Sequence, residues 1–282
     1  MQERSQESFP AIFCYIEAAL TVCAICGRVV ADSLCRSLVG DHEMERAIPK
    51  KSLIVDVDRE AGVPGSGGRA GRRQLSQARA EETRSRILQC ARDAFAAYGF
   101  AAANVRDIAR AAGTTHSMIT YHFGSKDELW RESVRDMFAL LQRSVVDIVD
   151  SDPGLTPRDR FRKLLRRYTR YSAEHPEHAR ITVAESIAGG ERLEWMVEEF
   201  VKSNHSDTMP QLEALIADGT LRPMPLPSLF YAMVGMIQLP FMFQKEAQLA
   251  MGYDFMSDAA IDAHAEAVLA LLLPNESARG TS

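Results

Sequence analysis

The stretch NVRDIARAAGTTHSMITYHFGSK, from Asn104 to Lys126, decides the fold. Its first half has apolar residues at helical spacing, and Gly113 then interrupts the pattern. Asn104 is a residue type that favours a helix N-cap, and Gly113 suits the left-handed conformation that often follows a helix. A second short helical segment runs from Thr115 to Phe123. Two short helices around a glycine turn form the helix-turn-helix pattern.

The second segment is predicted to have two different faces. Ile119 and Phe123 lie one helical turn apart and are expected to face inward. The other face carries side chains that can hydrogen-bond, as a helix that reads DNA requires. The residues expected on this outer face are His116, Ser117, Thr120, Tyr121 and His122.

This stretch, with Thr83 to Phe100 before it, resembles the DNA-binding domain of the tetracycline-repressor (TetR/AcrR) family of bacterial transcriptional regulators. The match runs in one unbroken order with the spacings of the family. One position departs from the pattern, because Thr120 stands where the family commonly has a tyrosine. The residues that carry the resemblance are Ile87, Ala91, Phe95, Tyr98-Gly99-Phe100, Val105-Arg106-Asp107-Ile108-Ala109, Ala112-Gly113 and the run from Tyr121 to Leu129.

The resemblance implies an all-α fold, in which a three-helix helix-turn-helix domain precedes a helical domain for ligand binding and dimerisation. It further implies a ligand-responsive transcriptional regulator, a repressor that binds a pseudo-palindromic operator as a dimer. The expected partners are double-stranded DNA, an unknown small-molecule effector and a second copy of the chain, bound through the last two helices. No cofactor is expected, and the expected location is the cytoplasm, in association with the nucleoid.

The distribution of charge supports DNA binding by one part of the chain. The 282 residues carry a net charge of −5, which alone would argue against nucleic acid. From Arg69 to Arg131, however, eleven Lys and Arg stand against six Asp and Glu, whereas residues 132–282 hold fifteen against twenty-two. A basic segment joined to an acidic one fits a chain in which only the former touches DNA.

Residues 1–75 lie outside the resemblance and are predicted to be an extension and linker, either disordered or the product of a wrongly assigned start. The apolar stretch from Phe9 to Val30 approaches the length of a membrane span, although Glu17 interrupts it. A membrane-tethered regulator is therefore an alternative. Cys23 and Cys26 have C-x-x-C spacing, but the second such pair that a zinc site usually needs is absent from the sequence.

The glycine-rich stretch from Gly62 to Gly71 is predicted to be a linker. The basic residues in and after it have two interpretations, a solvated charged tail or an arm that lies along DNA phosphates or in a minor groove. These residues are Arg69, Arg72, Arg73 and Arg79.

The helix-turn-helix domain is predicted over residues 76–124. Its first helix is expected from about Ala80 to Tyr98, with Gly99 closing it. Because they recur at helical spacing, four residues of this helix are expected to face the core. They are Ile87, Ala91, Phe95 and Tyr98.

The second domain is predicted over residues 125–275, followed by a tail, 276–282. Ser125 and Glu128 form a capping-box pattern that starts its first helix. All later patterns are helical, and the last helix is expected over Ile261 to Leu273. The basic run from Arg158 to Arg170 is interpreted as a salt-bridged helix face rather than a second DNA patch, because neighbouring segments are acidic.

Candidate DNA contacts follow from these placements. Thr83 and Arg84 are expected near the start of the first helix, where backbone N–H groups favour phosphate. Thr115 opens the second helix of the motif. Contacts to base edges are predicted for His116, Ser117, Met118 and Tyr121, and contacts to phosphates or mixed contacts for Asn104, Arg106, Thr120, His122 and Lys126.

An apolar effector pocket is predicted in the second domain, with ordinary core or dimer-interface packing as the alternative for each residue. The residues are Met196, Phe200, Met233, Met236, Ile237 and Phe241.

No catalytic motif is present in the sequence: it has no glycine-rich phosphate loop, no G-x-S-x-G elbow and no H-E-x-x-H. His175 and His178 flank Pro176, which favours a role at a helix junction over a metal site. No enzyme activity and no metal site are predicted. A non-regulatory helical protein that retains the fold is the remaining alternative.

Overall fold

The computed structural model describes residues 69–152 and 154–274, and all regular secondary structure in these residues is helical, as the sequence predicts. Several predicted features lie outside the described residues: the extension with its apolar stretch Phe9 to Val30, the Cys23–Cys26 pair and the tail 276–282. The side chains of Arg69, Arg72 and Arg73 lie outside the described part as well.

The helices follow one another with short connections. Two π-helical turns, Gln142–Val146 and Val197–Val201, join α4 to α5 and α8 to α9. In chain order the helices are α1 (Arg69–Ala102), α2 (Val105–Ala111), α3 (His116–Phe123), α4 (Lys126–Leu141), α5 (Asp147–Asp150), α6 (Pro157–Glu174), α7 (Pro176–Ala188), α8 (Glu191–Met196), α9 (Lys202–Ala217), α10 (Leu226–Met242), α11 (Gln244–Met251) and α12 (Asp258–Leu272).

Helix α1 differs from its prediction at both ends. It begins at Arg69, within the predicted linker and well before Ala80. The predicted stop at Gly99 is a kink, where φ is 70° and ψ is 169°, and one more turn follows. Tyr98, predicted to face inward, is instead exposed, because the chain turns at the next residue and brings Phe100 against the core.

The first apolar core joins α1, α2, α3 and α4. Phe95 of α1, Ile108 of α2, Ile119 of α3 and Trp130 of α4 are all buried in it. The same core includes Met196 of α8, so it continues into the C-terminal helices. The helix-turn-helix is therefore packed firmly against the rest of the described chain.

Helix α4 begins at the predicted N-cap, but the capping box is half formed, because the Glu128 side chain pairs with Arg135 at 3.1 Å. Ser125 accepts a hydrogen bond from the N–H of Glu128 at 3.0 Å. Leu129, Val134 and Met137 lie on the buried side of the helix. The helix therefore runs from the DNA-binding motif into the core that the C-terminal helices share.

A second core lies between α6, α9, α10 and α12. On the outer side of α6, Arg166 pairs with Glu266 at 2.5 Å, and Arg170 pairs with Asp258 and Asp262 at 2.7 Å each. These ion pairs confirm that the basic run of α6 is a salt-bridged face.

The most apolar helix, α10, contains Pro240 and ends soon after it, at Met242. In the part of the chain that the structure describes, no single helix is long and apolar enough to span a membrane. Helices α10 and α11 have the length and composition of a membrane span only when taken together, and a bend of 67° separates them.

Candidate nucleic-acid interface

Side-chain caps fix the starts of α2 and α3, and a glycine forms the turn between them. Asn104, the predicted N-cap of α2, accepts a hydrogen bond from the N–H of Arg106 at 2.9 Å. Gly113 has φ of 61°, the left-handed conformation predicted for it. Thr115 caps α3 by accepting a hydrogen bond from the N–H of Met118 at 3.3 Å. The two caps satisfy N–H groups that the helix starts would leave unpaired, and so determine where α2 and α3 begin.

The inner face of α3 anchors it to the core. Ile119 is 2% exposed and Phe123 is 5% exposed, which confirms that both face inward. They pack in the core that also contains Ile108 of α2 and Leu129 of α4. Because interiors are close-packed, these contacts hold the short helix in one orientation.

The outer face of α3 is open to solvent. Tyr121 is 81% exposed, and Met118 is exposed to a smaller extent. His116, at the first position of the helix, is exposed as well. A phenol, an imidazole and a thioether thus project from a rigid helix, and together they can hydrogen-bond to base edges and make apolar contacts with them.

The other polar side chains of α3 make contacts within the motif. Thr120 Oγ1 donates to the carbonyl oxygen of His116 at 3.1 Å, and Ser117 Oγ lies 2.9 Å from Thr115 Oγ1. His122 is half-buried, and its enclosed Nε2 has no hydrogen-bond partner among the described residues. Among the polar groups of α3, His116 and Tyr121 are thus the ones most open to an outside partner.

Of the five residues predicted to contact phosphates or make mixed contacts, three are exposed (Asn104, Arg106 and Thr120) and two are partly enclosed (His122 and Lys126). Asn104 and Arg106 lie at the solvent-exposed start of α2. Lys126, the first residue of α4, donates from Nζ to the carbonyl oxygen of Ala101 at 3.1 Å. Partial burial lowers the pKa of Lys126, and the nearby charge of Arg192 lowers it further.

The predicted position of Thr83 and Arg84 near a helix start is wrong. Helix α1 begins at Arg69, so both residues lie in its interior, where no free backbone N–H groups are available to phosphate. Thr83 Oγ1 donates to the carbonyl oxygen of Arg79 at 2.9 Å. Arg84 pairs with Glu132 of α4, and its guanidinium carbon lies 5.3 Å from the centre of the Phe123 ring. Arg84 thus braces α1 against α3 and α4.

A buried charged cluster, absent from the sequence predictions, joins α1, α4 and α7. Arg92 is 4% exposed and pairs with Asp136 of α4. Its Nε lies 3.9 Å from a carboxylate oxygen of Glu177 in α7. The available sequence signal was a charged residue at helical spacing from Leu88 and Phe95, in the buried stripe of α1.

The two histidines near Pro176 lie at a helix junction, as the sequence interpretation favoured. His175 stands between α6 and α7, with Nδ1 3.2 Å from Glu177 Oε1. His178 is buried, and its Nδ1 lies 2.9 Å from the hydroxyl of Tyr171. Burial lowers the pKa of His178 to about 4. This junction therefore holds a neutral imidazole at neutral pH.

The six residues predicted to line an effector pocket belong to different apolar clusters. Met196 and Phe200 pack in the first core. Met233, Met236 and Ile237 belong to the second core, and Phe241 belongs to a third, smaller cluster. A surface cleft of about 650 Å³ on α6 contains none of these six residues. It is lined by Leu155, Asp159, Arg162, Lys163, Arg166, Arg167, Arg170 and Asp262.

Comparison with family models gives two adjacent matches. The model of bacterial regulatory proteins of the tetR family matches residues 87–132. The model of the YcdC-like protein C-terminal region matches residues 136–279. The first range contains all of α2 and α3, and the second begins within α4 and extends over the helices that follow.

Relatives and solved structures agree with these matches. The HTH-type transcriptional repressor KstR2 of Mycobacterium tuberculosis (strain H37Rv) is 30% identical over 144 residues, which are 50% of this chain and 70% of that protein. The structure of the ketosteroid regulator KstR2 of M. tuberculosis has a TM-score of 0.53 at 22% identity, covering 68% of this chain and 95% of that one. The structure of AibR in complex with isovaleryl coenzyme A and operator DNA has a TM-score of 0.55 at 16% identity, covering 68% and 98%. At these identities the two structural matches establish the fold alone.

Proposed function

Because this chain belongs to the tetR family of bacterial regulatory proteins, and is therefore a DNA-binding transcriptional regulator, we propose that it is a ligand-responsive repressor. It binds a pseudo-palindromic operator as a homodimer, and a small molecule in its C-terminal helices releases it. In this proposal residues 76–124 bind DNA, and residues 125–275 bind the effector and form the dimer.

One observation carries the proposal: α3 is buried on one side and open on the other. Ile119 and Phe123 hold it from behind, while His116 and Tyr121 project into solvent. A rigid helix whose outer side chains are exposed is suited to the major groove, whose width admits an α-helix. We assign base-edge contacts to this outer face, and phosphate contacts to Asn104, Arg106 and Lys126.

The proposed dimer rests on exposed apolar side chains of α10 and α12, which correspond to the two helices expected to be the last; the short helix α11 lies between them in the chain. Tyr231 and Leu239 of α10 are well exposed, and so is Leu271 of α12. The two helices pack against each other through the second core, so a second copy could cover both at once. A two-fold dimer presents two copies of α3, and a pseudo-palindromic operator offers them equivalent half-sites in successive major grooves.

The proposed effector is a small molecule with an apolar part, because the C-terminal helices enclose mainly apolar side chains. The solved complex of AibR shows that a chain of similar fold binds isovaleryl coenzyme A together with operator DNA. An effector releases DNA here if it binds more tightly to a conformation in which the two α3 helices no longer fit the operator spacing.

The test is selection of duplexes from a random pool with the full chain, followed by binding titrations of the selected duplex with competitor DNA present. We expect a two-fold symmetric sequence to be enriched and retained. Enrichment of no sequence, together with equal retention of selected and random duplexes, would contradict the proposal and favour a helical protein that merely keeps the fold.

The same titrations, run at several salt concentrations, separate phosphate contacts from base contacts. Lys126→Ala should weaken binding to selected and random duplexes alike and reduce the salt slope by roughly one unit, the amount that one charged group on a phosphate contributes. Loss of discrimination between the two duplexes, without a change in slope, would contradict its assignment to phosphate. Arg167→Ala, on the remote outer face of α6, is the matched control and should leave both quantities unchanged.

A further inference from the structure

Two cations from different parts of the chain approach one aromatic ring beside the helix-turn-helix. Lys126 Nζ lies 4.9 Å from the centre of the Phe100 ring. The guanidinium carbon of Arg192, from α8, lies 4.0 Å from the same centre and 5.8 Å from the centre of the Trp130 ring. Phe100 is thus a shared contact between the start of α4 and the C-terminal helices.

Arg192 is held in this position from its own side. Its Nε donates to the carboxylate of Glu185 at 3.1 Å, and Glu185 is buried. Arg192 follows an elbow at Gly189 and Gly190, where φ is 68° and 82°, values that glycine adopts without strain. A change in the relative placement of α7 and α8 would therefore move Arg192.

The two cations also affect each other electrostatically. The charge of Arg192 is, after burial, the second cause that lowers the pKa of Lys126. Like charges near one ring repel, and both are attracted by its negative face. Moving Arg192 would therefore change the surroundings and the position of the ammonium group that is proposed to contact phosphate.

We propose that Arg192 is a positioning residue for DNA binding, through which the C-terminal helices set the phosphate contact of Lys126 by way of the Phe100 ring. The inference rests on the proposed function, since it presumes that Lys126 touches DNA. A shift at the α7–α8 elbow withdraws Arg192 from Phe100, so the ring that Lys126 contacts loses a packing partner, and Lys126 loses its fixed position at the start of α4. This gives the C-terminal part a route to the DNA backbone that is separate from any change in the spacing of the two α3 helices.

The test is a double-mutant cycle with Lys126→Ala and Arg192→Gln, measured on the selected duplex. Arg192→Gln alone should weaken binding roughly threefold to tenfold, the size of coupling seen between groups in contact. Because Arg192 acts through Lys126, the double variant should bind about as tightly as Lys126→Ala alone. Additive losses in the double variant would overturn the proposal.

A second readout does not depend on DNA. Lysines carrying ¹³C-labelled methyl groups are titrated by NMR, with the Lys126 signal assigned by its loss in Lys126→Arg. Arg192→Gln should raise the pKa of Lys126 toward its ordinary value, and Arg192→Lys, which keeps the charge, should give a smaller change. An unchanged Lys126 pKa in Arg192→Gln would overturn the proposal even if DNA binding had fallen, because the loss would then reflect altered packing.

The control is Arg180→Gln, which removes the same charge from an exposed position of α7, the helix that carries Glu185. It should leave both DNA affinity and the pKa of Lys126 unchanged. A wild-type chain that retains no duplex counts against the proposed function. Tight wild-type binding with no effect of Arg192→Gln counts against the role of Arg192 alone.

Discussion

The outer face of α3 and the junction of α1, α4 and α7 both carry polar side chains, but in opposite environments. On α3, Tyr121 is 81% exposed and His116 is open to solvent. At the junction, Arg92 is 4% exposed and faces Asp136 and Glu177 across helix boundaries. One set is available to an outside partner, and the other is matched within the chain.

The difference follows from the free energy of burying polar groups. A buried charge is tolerated only when it is paired and hydrogen-bonded, so the junction must supply a carboxylate wherever it encloses a cation. An exposed polar group has water instead and contributes little to folding. The junction side chains should therefore govern stability, and the α3 side chains should govern DNA binding with little effect on stability.

The largest expected effect is on the buried cluster. Arg92→Met removes the buried cation that pairs with Asp136 and lies beside the buried carboxylate of Glu177, and should lower the free energy of unfolding by about 3–5 kcal/mol. Chemical denaturation measures this. Arg106→Met, the same change on the exposed start of α2, should stay within about 0.5 kcal/mol of the wild type. Equal losses in the two variants would remove the distinction between the regions.

The second effect concerns pH. Burial lowers the pKa of His178 from 6.5 to about 4, so between these values the unfolded chain binds a proton that the folded chain does not. Stability is therefore complete above pH 6.5 and falls as the pH drops toward 4, by at most about 1.4 kcal/mol per pH unit from this group. Denaturation curves at stepped pH test this.

Two variants test whether His178 causes the loss of stability between pH 6.5 and 4. His178→Phe should flatten it, whereas His116→Gln, on the outer face of α3, should keep it. Glu177 adds to the fall at lower pH. Burial raises its pKa, but the hydrogen bonds from His175 and from a backbone N–H, with the charges of His175 and Arg92, outweigh burial, so its pKa lies below the ordinary value. A fall that persists unchanged in His178→Phe would show that another group is responsible.

The third effect is on binding. Tyr121→Ala removes a side chain that packs on little else, so stability should change by less than about 0.5 kcal/mol. Affinity for the selected duplex should fall by about 1–3 kcal/mol, the range for a specific base contact, with a smaller change on random DNA. Binding titrations measure the affinity and denaturation curves the stability. A loss of stability, with the preference for the selected duplex over random DNA unchanged, would contradict the assignment of Tyr121 to a base contact.

The smallest effect is at the start of α3. Thr115→Ala removes the cap that accepts from the N–H of Met118 and should lower the free energy of unfolding by about 1 kcal/mol. Thr120 is the matched threonine, since its hydroxyl donates only to a backbone carbonyl of its own helix. Thr120→Ala should thus be closer to neutral in the same denaturation experiment.

The sequence predicted the motif well because its signals are local. The N-caps at Asn104 and Ser125, the left-handed Gly113 and the one-turn spacing of Ile119 and Phe123 each involve residues within a few positions of one another. Capping and helical periodicity depend on such short separations, so they can be read without knowing the tertiary structure.

The features that were missed depend on contacts between distant parts of the chain. Arg92 and Glu177 meet only when α1 packs on α7, and nothing near either residue marks the other. The stacking of Arg192 on Phe100 is of the same kind. Met196 and Ile237 were likewise predicted to line one pocket, and the sequence could not show that they lie in different cores.

The predicted start of α1 was wrong for a different reason. The glycines before Gly71 predicted a linker, but the helix already includes Arg69 to Gly71. A glycine lowers helix stability by only about 1 kcal/mol, which a long helix with a buried stripe can outweigh. The same misplacement put Thr83 and Arg84 near a helix start.

The most direct test of the central claim is photo-crosslinking to the selected duplex from α3 and from α10. A photoreactive phenylalanine derivative replaces either Tyr121 or Tyr231, which are both tyrosines of high exposure, 81% and 65%. The outer face of α3 is proposed to lie in the major groove and α10 to face a second copy of the chain. We therefore expect crosslinks to DNA from position 121 and none from position 231. No DNA crosslink from position 121, or equal yields from both positions, would contradict the account.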